Sequence, residues 1–442
     1  SSASSKTPTP ALLNNKLIET VQFNSIFDHS YQDSEIVKII RVPRVIRDYI
    51  FGFLSSEEKV EIYKNVCNIY LGNNWRNSIK LVQSKGAELD LIVHQNLQIA
   101  IRFILLNGVE SKNEIETSRM TRVSINLIDY FQDKGAYKEA AFLSEETFLL
   151  IKDVDFTDLE SSCTQLMKKL GENLRMNSVH ERAISILKSI CDDEDNSLSK
   201  DDRNDIRVSL AYAFKTKNNK EEAVKYANLV KQNEKEKDCS TYLSADAILV
   251  HFINNENERF KKLNALKNKA EKLGFNTLKA NLILEINNGS TDANQIKQID
   301  KIILTSKGDA YTKVRALLAK AKIVLKSKNI DEITDEDLLG LNISYSYSFY
   351  QRLHVLLTKC HLLAWEYWDK QNQYDQLLNL FRYSSFVWRL CGEVELEKKY
   401  LDELQQNVEF LDWFRFNKNN INGSYYEQRI LALFNMKELE IN

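Results

Sequence analysis

The stretch that decides the fold is Leu170-Gly171-Glu172-Asn173-Leu174 followed by Ala183-Ile184-Ser185-Ile186-Leu187-Lys188-Ser189-Ile190. Within each half the apolar residues fall three and four apart, which puts them on one face of an α-helix. Two such halves joined by a short polar turn spell a helical hairpin. The small Gly171 is expected to let the first helix approach the second closely at Ala183. Leu174, Leu187 and Ile190 are then left to fill the space toward a neighbouring hairpin.

The same spacing recurs outward from this unit. It returns at Leu210-Ala211, Phe214, Ala223, Ala227 and Val230, and earlier at Leu127-Ile128, Phe131, Gly135-Ala136-Tyr137 and Ala140. A later copy reads Ala364-Trp365, Trp368, Tyr374, Leu377 and Phe381. The pattern resembles a tetratricopeptide unit, although the anchors at 127, 170 and 210 step further than the roughly 34 residues of that repeat. Longer helices or looser turns are therefore expected. Between 241 and 340 the match fades while helical periodicity persists, over Leu243 to Phe252, Phe260 to Leu273, Leu278 to Ile286 and Val314 to Leu325. Two or three degenerate hairpins are expected there. Turns are expected at Asn287-Asn288-Gly289-Ser290 and Ser306-Lys307-Gly308-Asp309. The chain should close with a helix from Val394 to Phe410, another around Ile430 to Met436, and a polar cap.

Composition narrows the alternatives. The 442 residues hold three prolines, Pro8, Pro10 and Pro43, and 12 glycines, well under the usual shares of about 5% and 7%. Sandwiches, barrels and βαβ folds need these residues at their turns, so they are excluded. Apolar residues at 43% can build a core, and a net charge of −2 gives no global field for nucleic acid or membrane. No apolar run spans a bilayer, and Ser1 to Pro10 is a polar segment, read as disordered, rather than a secretory signal. Because no initiator Met precedes Ser1, a processed fragment is expected. Cys67, Cys163, Cys191, Cys239, Cys360 and Cys391 lack paired spacing, which predicts free buried thiols in a reducing, cytoplasmic setting.

No motif for chemistry is present. The sequence contains no phosphate-binding glycine loop, no H-E-x-x-H, no C-x-x-C and no G-x-S-x-G. His354 and His361 share a helix face beside Cys360, but they read as core-edge histidines rather than metal ligands. The acidic run Cys191-Asp192-Asp193-Glu194-Asp195 reads as a solvated loop. No catalytic residue, metal or cofactor is expected, and the chain is not expected to be an enzyme.

Residues 11 to about 75 depart from the hairpin spacing. Ala11 to Phe27 reads as helix, Glu35 to Val42 as a short β-prone run, and Val45 to Leu54 as helix again. Ser55-Ser56-Glu57-Glu58 then starts a helix through Val60, Ile62, Tyr63, Val66, Cys67 and Tyr70. The run Val42-Pro43-Arg44-Val45-Ile46-Arg47-Asp48-Tyr49-Ile50, followed by Leu54-Ser55-Ser56-Glu57-Glu58 and Asn68-Ile69-Tyr70, resembles the tail of the winged-helix segment in STAND-type NTPases. That class includes NACHT and NB-ARC proteins. The likeness covers some 60 residues, and such proteins place helical repeats next. Two departures stand out. Val42 and Pro43 occupy the positions of the family's nucleotide-sensing histidine, and the nucleotide-binding domain is absent from this chain.

Two biases point to a partner surface. Residues 341–442 hold 20 of the 44 aromatic residues, including Trp365, Trp368, Trp388 and Trp413. Tyr and Trp anchor recognition surfaces at low entropic cost. In Tyr345-Ser346-Tyr347-Ser348-Phe349-Tyr350 serine alternates with aromatics, an unusual pattern for a core, whereas Trp365, Trp368 and Phe381 read as repeat core. Residues 256–330 carry 16 Lys and Arg against 7 Asp and Glu, either a solvated face or a basic surface of Lys261, Lys262, Lys269, Lys272, Lys320, Lys322 and Lys326 for an acidic protein or a nucleic acid. The candidate partner-binding residues are Tyr345, Tyr347, Tyr350, Trp388, Lys320 and Lys322.

The expected fold is an all-α, right-handed α-solenoid of tetratricopeptide-like hairpins behind a small partial winged-helix module. Its expected divisions are a winged-helix-like module over 11–75, repeats over 76–340 and an aromatic-rich end over 341–442. The resemblance implies a ligand-sensing, protein-binding arm of a STAND-like bacterial signalling or anti-phage defence NTPase, with oligomerisation through an upstream domain. A stand-alone helical-repeat scaffold is the alternative. Neither membrane nor nucleic acid is an expected partner.

Overall fold

The computed structural model describes residues 19–22, 38–77, 87–156, 159–193, 198–287, 293–306 and 309–417. Apart from one two-stranded hairpin and a 3-10 turn at Ile330–Glu332, its regular structure is α-helix. Among the described residues no helix is long and apolar enough to cross a membrane. The chain packs as two compact units, Ser1–Ile128 with Leu143–Cys163, and Asp129–Phe142 with Thr164–Asn442.

The first unit opens with strands β1 (Glu19–Gln22) and β2 (Lys38–Arg41), antiparallel with Thr20 opposite Ile40. The β-prone reading of Glu35 to Val42 thus contains a real strand. The helix expected over Ala11 to Phe27 is not formed at Glu19–Gln22, where β-branched Thr20 and Val21 pair with a strand beyond the reach of local periodicity. Helices α1 (Arg44–Phe53), α2 (Ser56–Leu71) and α3 (Ala87–Glu110) follow. The Ser55 hydroxyl accepts from the Glu58 amide at 3.2 Å while the Glu58 carboxylate accepts from the Ser55 amide at 2.8 Å. This reciprocal cap fixes the start of α2 where the sequence marks it. Cys67, Leu71, Leu97, Ile101, Ile104 and Leu105 form buried surface of α2 and α3.

Helices α4 (Glu114–Asp133) and α5 (Tyr137–Ile151) contribute to both units. The second unit continues with α6 (Leu159–Met176), α7 (His180–Asp192), α8 (Lys200–Thr216), α9 (Lys220–Asn233), α10 (Ser240–His251) and α11 (Glu256–Lys272). Next come α12 (Asn276–Ile286), α13 (Ala293–Thr305), α14 (Ala310–Ser327), α15 (Asp335–Tyr350) and α16 (His354–Lys370). The array ends with α17 (Tyr374–Leu390), α18 (Val394–Gln406) and α19 (Val408–Asn417). From α7 to α19 each helix packs on its sequence neighbour, and alternate helices such as α8 and α10, α12 and α14, and α14 and α16 also touch. This is the arrangement of stacked hairpins. Helices α10 to α14 fill the middle region, where two or three degenerate hairpins are expected, and α12 packs more closely on α11 than on α13.

One turn recurs along the array and explains the missing proline. At Gly135, Ser178, Asn218, Arg352, Asn372 and Gly392 the backbone is left-handed just past a helix end. The following amide reaches back to close the last turn: Ala136 to Phe131 at 2.8 Å, Val179 to Leu174 at 2.9 Å, Asn219 to Phe214 at 2.9 Å and Glu393 to Trp388 at 2.8 Å. This satisfies helix-terminal carbonyls with a single αL residue, so neither proline nor a long loop is needed. Positions 135, 178 and 218 repeat the two steps of the anchors 127, 170 and 210. Several helix starts are also capped by side chains, with Ser199, Asn219, Asn255, Asp309 and Thr334 each capping the helix that follows.

Most anchors are core, Trp365 and Phe381 included, whereas Trp368, expected in the core, is half-buried. Leu170, Leu174 and Ala183 cluster with Ala141. Leu187, Ile190, Leu210, Ala211, Phe214, Ala223, Ala227 and Val230 share a larger cluster with Ala245 and Ile248. The close approach at Gly171 is made by Leu187 rather than Ala183, because a Cβ on Gly171 would lie 2.6 Å from the Leu187 side chain. The helix expected from Val394 to Phe410 breaks at Asn407, whose side-chain oxygen caps the Phe410 amide at 3.0 Å. Cys191 and Asp192 close α7 rather than lying in a loop. Cys67, Cys191 and Cys360 are buried thiols, whereas Cys163 and Cys239 are partly buried and Cys391 is exposed at a turn. The expected helix around Ile430 to Met436, the polar cap and most of the two glycine-containing turns lie outside the described residues.

Candidate partner-binding groove

Alternate helices of the second unit turn one face toward a shared groove of about 570 Å³. On α14, Arg315, Leu318, Ala319, Lys322, Ile323 and Lys326 recur three and four apart, so one stripe of the helix faces it. Leu356, Lys359, Leu363 and Glu366 do the same on α16, while α8, α10 and α12 supply Lys215, His251, Leu284 and Glu285. The result is an aliphatic surface edged by cations, with no Phe, Tyr or Trp among its lining residues.

The charges are unevenly compensated. The Glu285 carboxylate accepts from Lys215 Nζ at 3.2 Å and lies 2.7 Å from His251 Nδ1. Burial alone would raise the Glu285 pKa, but the bonds and charges of His251 and Lys215 outweigh it and hold the carboxyl below its ordinary value. Burial pushes the Lys215 amine down despite Glu285. Arg315 donates to the neutral Asn281 side chain at 2.6 Å and lies over the Tyr311 ring at 5.6 Å. Among the described residues, Lys322, Lys326 and Lys359 have no carboxylate within ion-pairing distance. Burial, then repulsion from Arg315 and Lys322, lowers the Lys359 pKa, although Lys359 still meets solvent inside the groove. A concave wall explains both facts, since protein surrounds the amine on most sides while water reaches it from one.

The sequence-predicted residues divide sharply. Lys322 lies in the groove, whereas Lys320 points away from it and pairs with Asp300 at 2.8 Å. Tyr350 is half-buried, its ring 5.4 Å from Phe349. The expected exposure of Tyr345, Tyr347 and Trp388 is corrected: they are 0%, 9% and 0% exposed. The Tyr345 hydroxyl contacts Ser384 Oγ at 2.7 Å, and the Trp388 indole donates to Thr358 Oγ1 at 2.8 Å while stacking on Tyr400. The alternating serines are the reason these rings can be buried. Ser344 donates to the Gly340 carbonyl and Ser348 to the Ser344 carbonyl, both at 2.7 Å, so each hydroxyl is satisfied within its own helix. Their small size admits neighbouring helices to both sides of α15. Of the paired histidines, His354 lies 3.5 Å from Glu393, while His361 is wholly buried with Nδ1 2.8 Å from Ser384 Oγ.

The sequence reading missed Lys215, Arg315 and Lys359 as groove residues, whereas Lys326, one of the lysines of the expected basic surface, lies in the groove. The stripe on α14 was visible in its spacing. The contribution of α8 and α16 was not, because it depends on which helices are brought alongside.

No family model matches the chain, and no curated protein matches it. Among solved structures it is similar to a STAND (signal transduction ATPase with numerous domains) protein with a tetratricopeptide repeat sensor from Pyrococcus horikoshii. That match has 14% identity and a TM-score of 0.33, over 99% of this chain and 70% of the other. It is also similar to a circular tandem repeat protein with a novel repeat topology, at 13% identity and a TM-score of 0.17, over 90% of this chain and 84% of the other. The hairpin fold rests on the packing described above and not on these likenesses.

Proposed function

We propose that the array is the ligand-sensing, protein-binding arm of a STAND-like cytoplasmic NTPase in bacterial signalling or anti-phage defence, without catalytic chemistry of its own. The observation that carries the binding role is the groove: cations lacking carboxylate partners edge an aliphatic surface built by alternate helices of one hairpin stack. A ligand that binds one curvature of the stack better than another shifts the equilibrium between them by that difference in affinity. An upstream nucleotide-binding domain would read the shift and assemble into an active oligomer. Support for the link to such a domain comes from the Val42 to Tyr70 segment, which resembles the end of a winged-helix module over residues 11–75.

The reading frame upstream of Ser1 tests this proposal. A G-x-x-x-x-G-K-[ST] loop there, with nucleotide hydrolysis by the longer protein, supports the sensor reading. A start codon near Ser1 with no such loop leaves the stand-alone scaffold.

A further inference from the structure

We infer that Lys322 and Lys359, backed by Arg315, form the seat for an acidic side chain of an aliphatic, acidic polypeptide segment bound in the groove. This deepens the protein-binding reading given above and rests on it. Three features converge. First, all three cations line the same groove, Arg315 and Lys322 from α14 and Lys359 from α16, and the charges of Arg315 and Lys322 both bear on Lys359. None of the three has a carboxylate partner among the described residues, so the folded chain holds a local excess of positive charge that an incoming anion relieves. Second, the charge sits on a concave wall open to solvent on one side, and concave low-dielectric surfaces focus the field on what enters. Third, the accessible apolar lining beside the seat is the exposed Leu362 and the half-buried Leu363, which matches aliphatic side chains flanking an acidic one.

These features also separate a polypeptide from the other polyanion that a basic groove attracts. Single-stranded nucleic acid is held chiefly by Phe, Tyr and Trp side chains on which bases stack, and none of these lines this groove. Glu285 is already engaged by Lys215 and His251, so one end of the groove is neutralised internally and the excess charge is concentrated at α14 and α16.

The test is fluorescence anisotropy on the whole chain with a short labelled peptide alternating Glu and Leu, beside the same peptide with every Glu replaced by Gln. The Glu peptide should bind and the Gln peptide should not. Lys322→Met with Lys359→Met should weaken binding by at least about tenfold, which is ~1.4 kcal/mol. Lys320→Met, outside the groove, should leave binding unchanged. Thermal melting of each variant separates a lost seat from a lost fold, and Lys359→Arg should restore most of the affinity if charge is what matters. Failure of the Glu peptide to bind, equal binding of both peptides, unchanged binding by the folded double variant, or displacement of the peptide by a single-stranded oligonucleotide of equal charge would each overturn the inference. None of these results bears on whether an NTPase lies upstream, which the reading frame decides separately.

Discussion

The Tyr347 hydroxyl donates to the Gly135 carbonyl at 2.7 Å, across 212 residues of chain. The α4–α5 turn therefore docks against the α14–α15 hairpin, and the Tyr137 and Tyr311 rings meet edge to face at 5.6 Å beside the bond. Gly135 is left-handed at φ +71°, and a Cβ there would lie 2.2 Å from the Tyr347 oxygen. Gly135→Ala should therefore destabilise the chain twice over, through αL strain of roughly 1–2 kcal/mol and through expulsion of Tyr347. Tyr347→Phe should cost about 1–3 kcal/mol by leaving a buried carbonyl unpaired. Urea unfolding of the two single variants and the double should show strong non-additivity if they act through this one contact.

Gly171 makes the opposite kind of test. Alanine is the better helix former by roughly 1 kcal/mol, yet a methyl at 171 would lie 2.6 Å from buried Leu187. Gly171→Ala should lower the melting temperature, with an overpacking cost of about 1–3 kcal/mol. Adding Leu187→Ala should relieve the clash, so the double variant should be more stable than the two single losses summed.

Tyr345→Ala and Trp388→Ala should each cost about 3–5 kcal/mol, as expected for large buried side chains. Near-ultraviolet circular dichroism and thermal melting should report the loss. A variant that keeps its melting temperature would mean these rings are not core.

Stability should fall on acidification. His361 is wholly buried, and its pKa is pushed well below 6.5 by that burial and by Lys399. His180 is lowered to about 4 by burial and by Arg175, His354 and Lys217. Both histidines stay neutral in the folded chain while the unfolded chain takes up protons below about pH 6.5, so the unfolded state binds more protons there. Stability is thus fully present above pH 6.5 and is lost as pH drops toward 4. Each histidine contributes a slope of at most about 1.4 kcal/mol per pH unit. Urea midpoints from pH 7.5 down to pH 5 measure the slope, and His361→Gln should flatten it.

Local regularities in the residues determined the all-helical character, the hairpin spacing and most of the anchors. Helical periodicity and capping act within a turn or two of chain, so Leu170, Leu210 and the Ser55–Glu58 cap were legible without coordinates. Only tertiary packing decided which face of each helix meets protein and which meets water. Lys320 and Lys322 are two residues apart on one helix, a spacing that points them in different directions, and one pairs with Asp300 while the other enters the groove. Tyr345 and Tyr347 read as surface because serine separates them. They are buried because Ser384 and the Gly135 turn, brought from 39 and 212 residues away, close over them. The fate of such side chains is set by neighbours distant in sequence, and no local pattern encodes those neighbours.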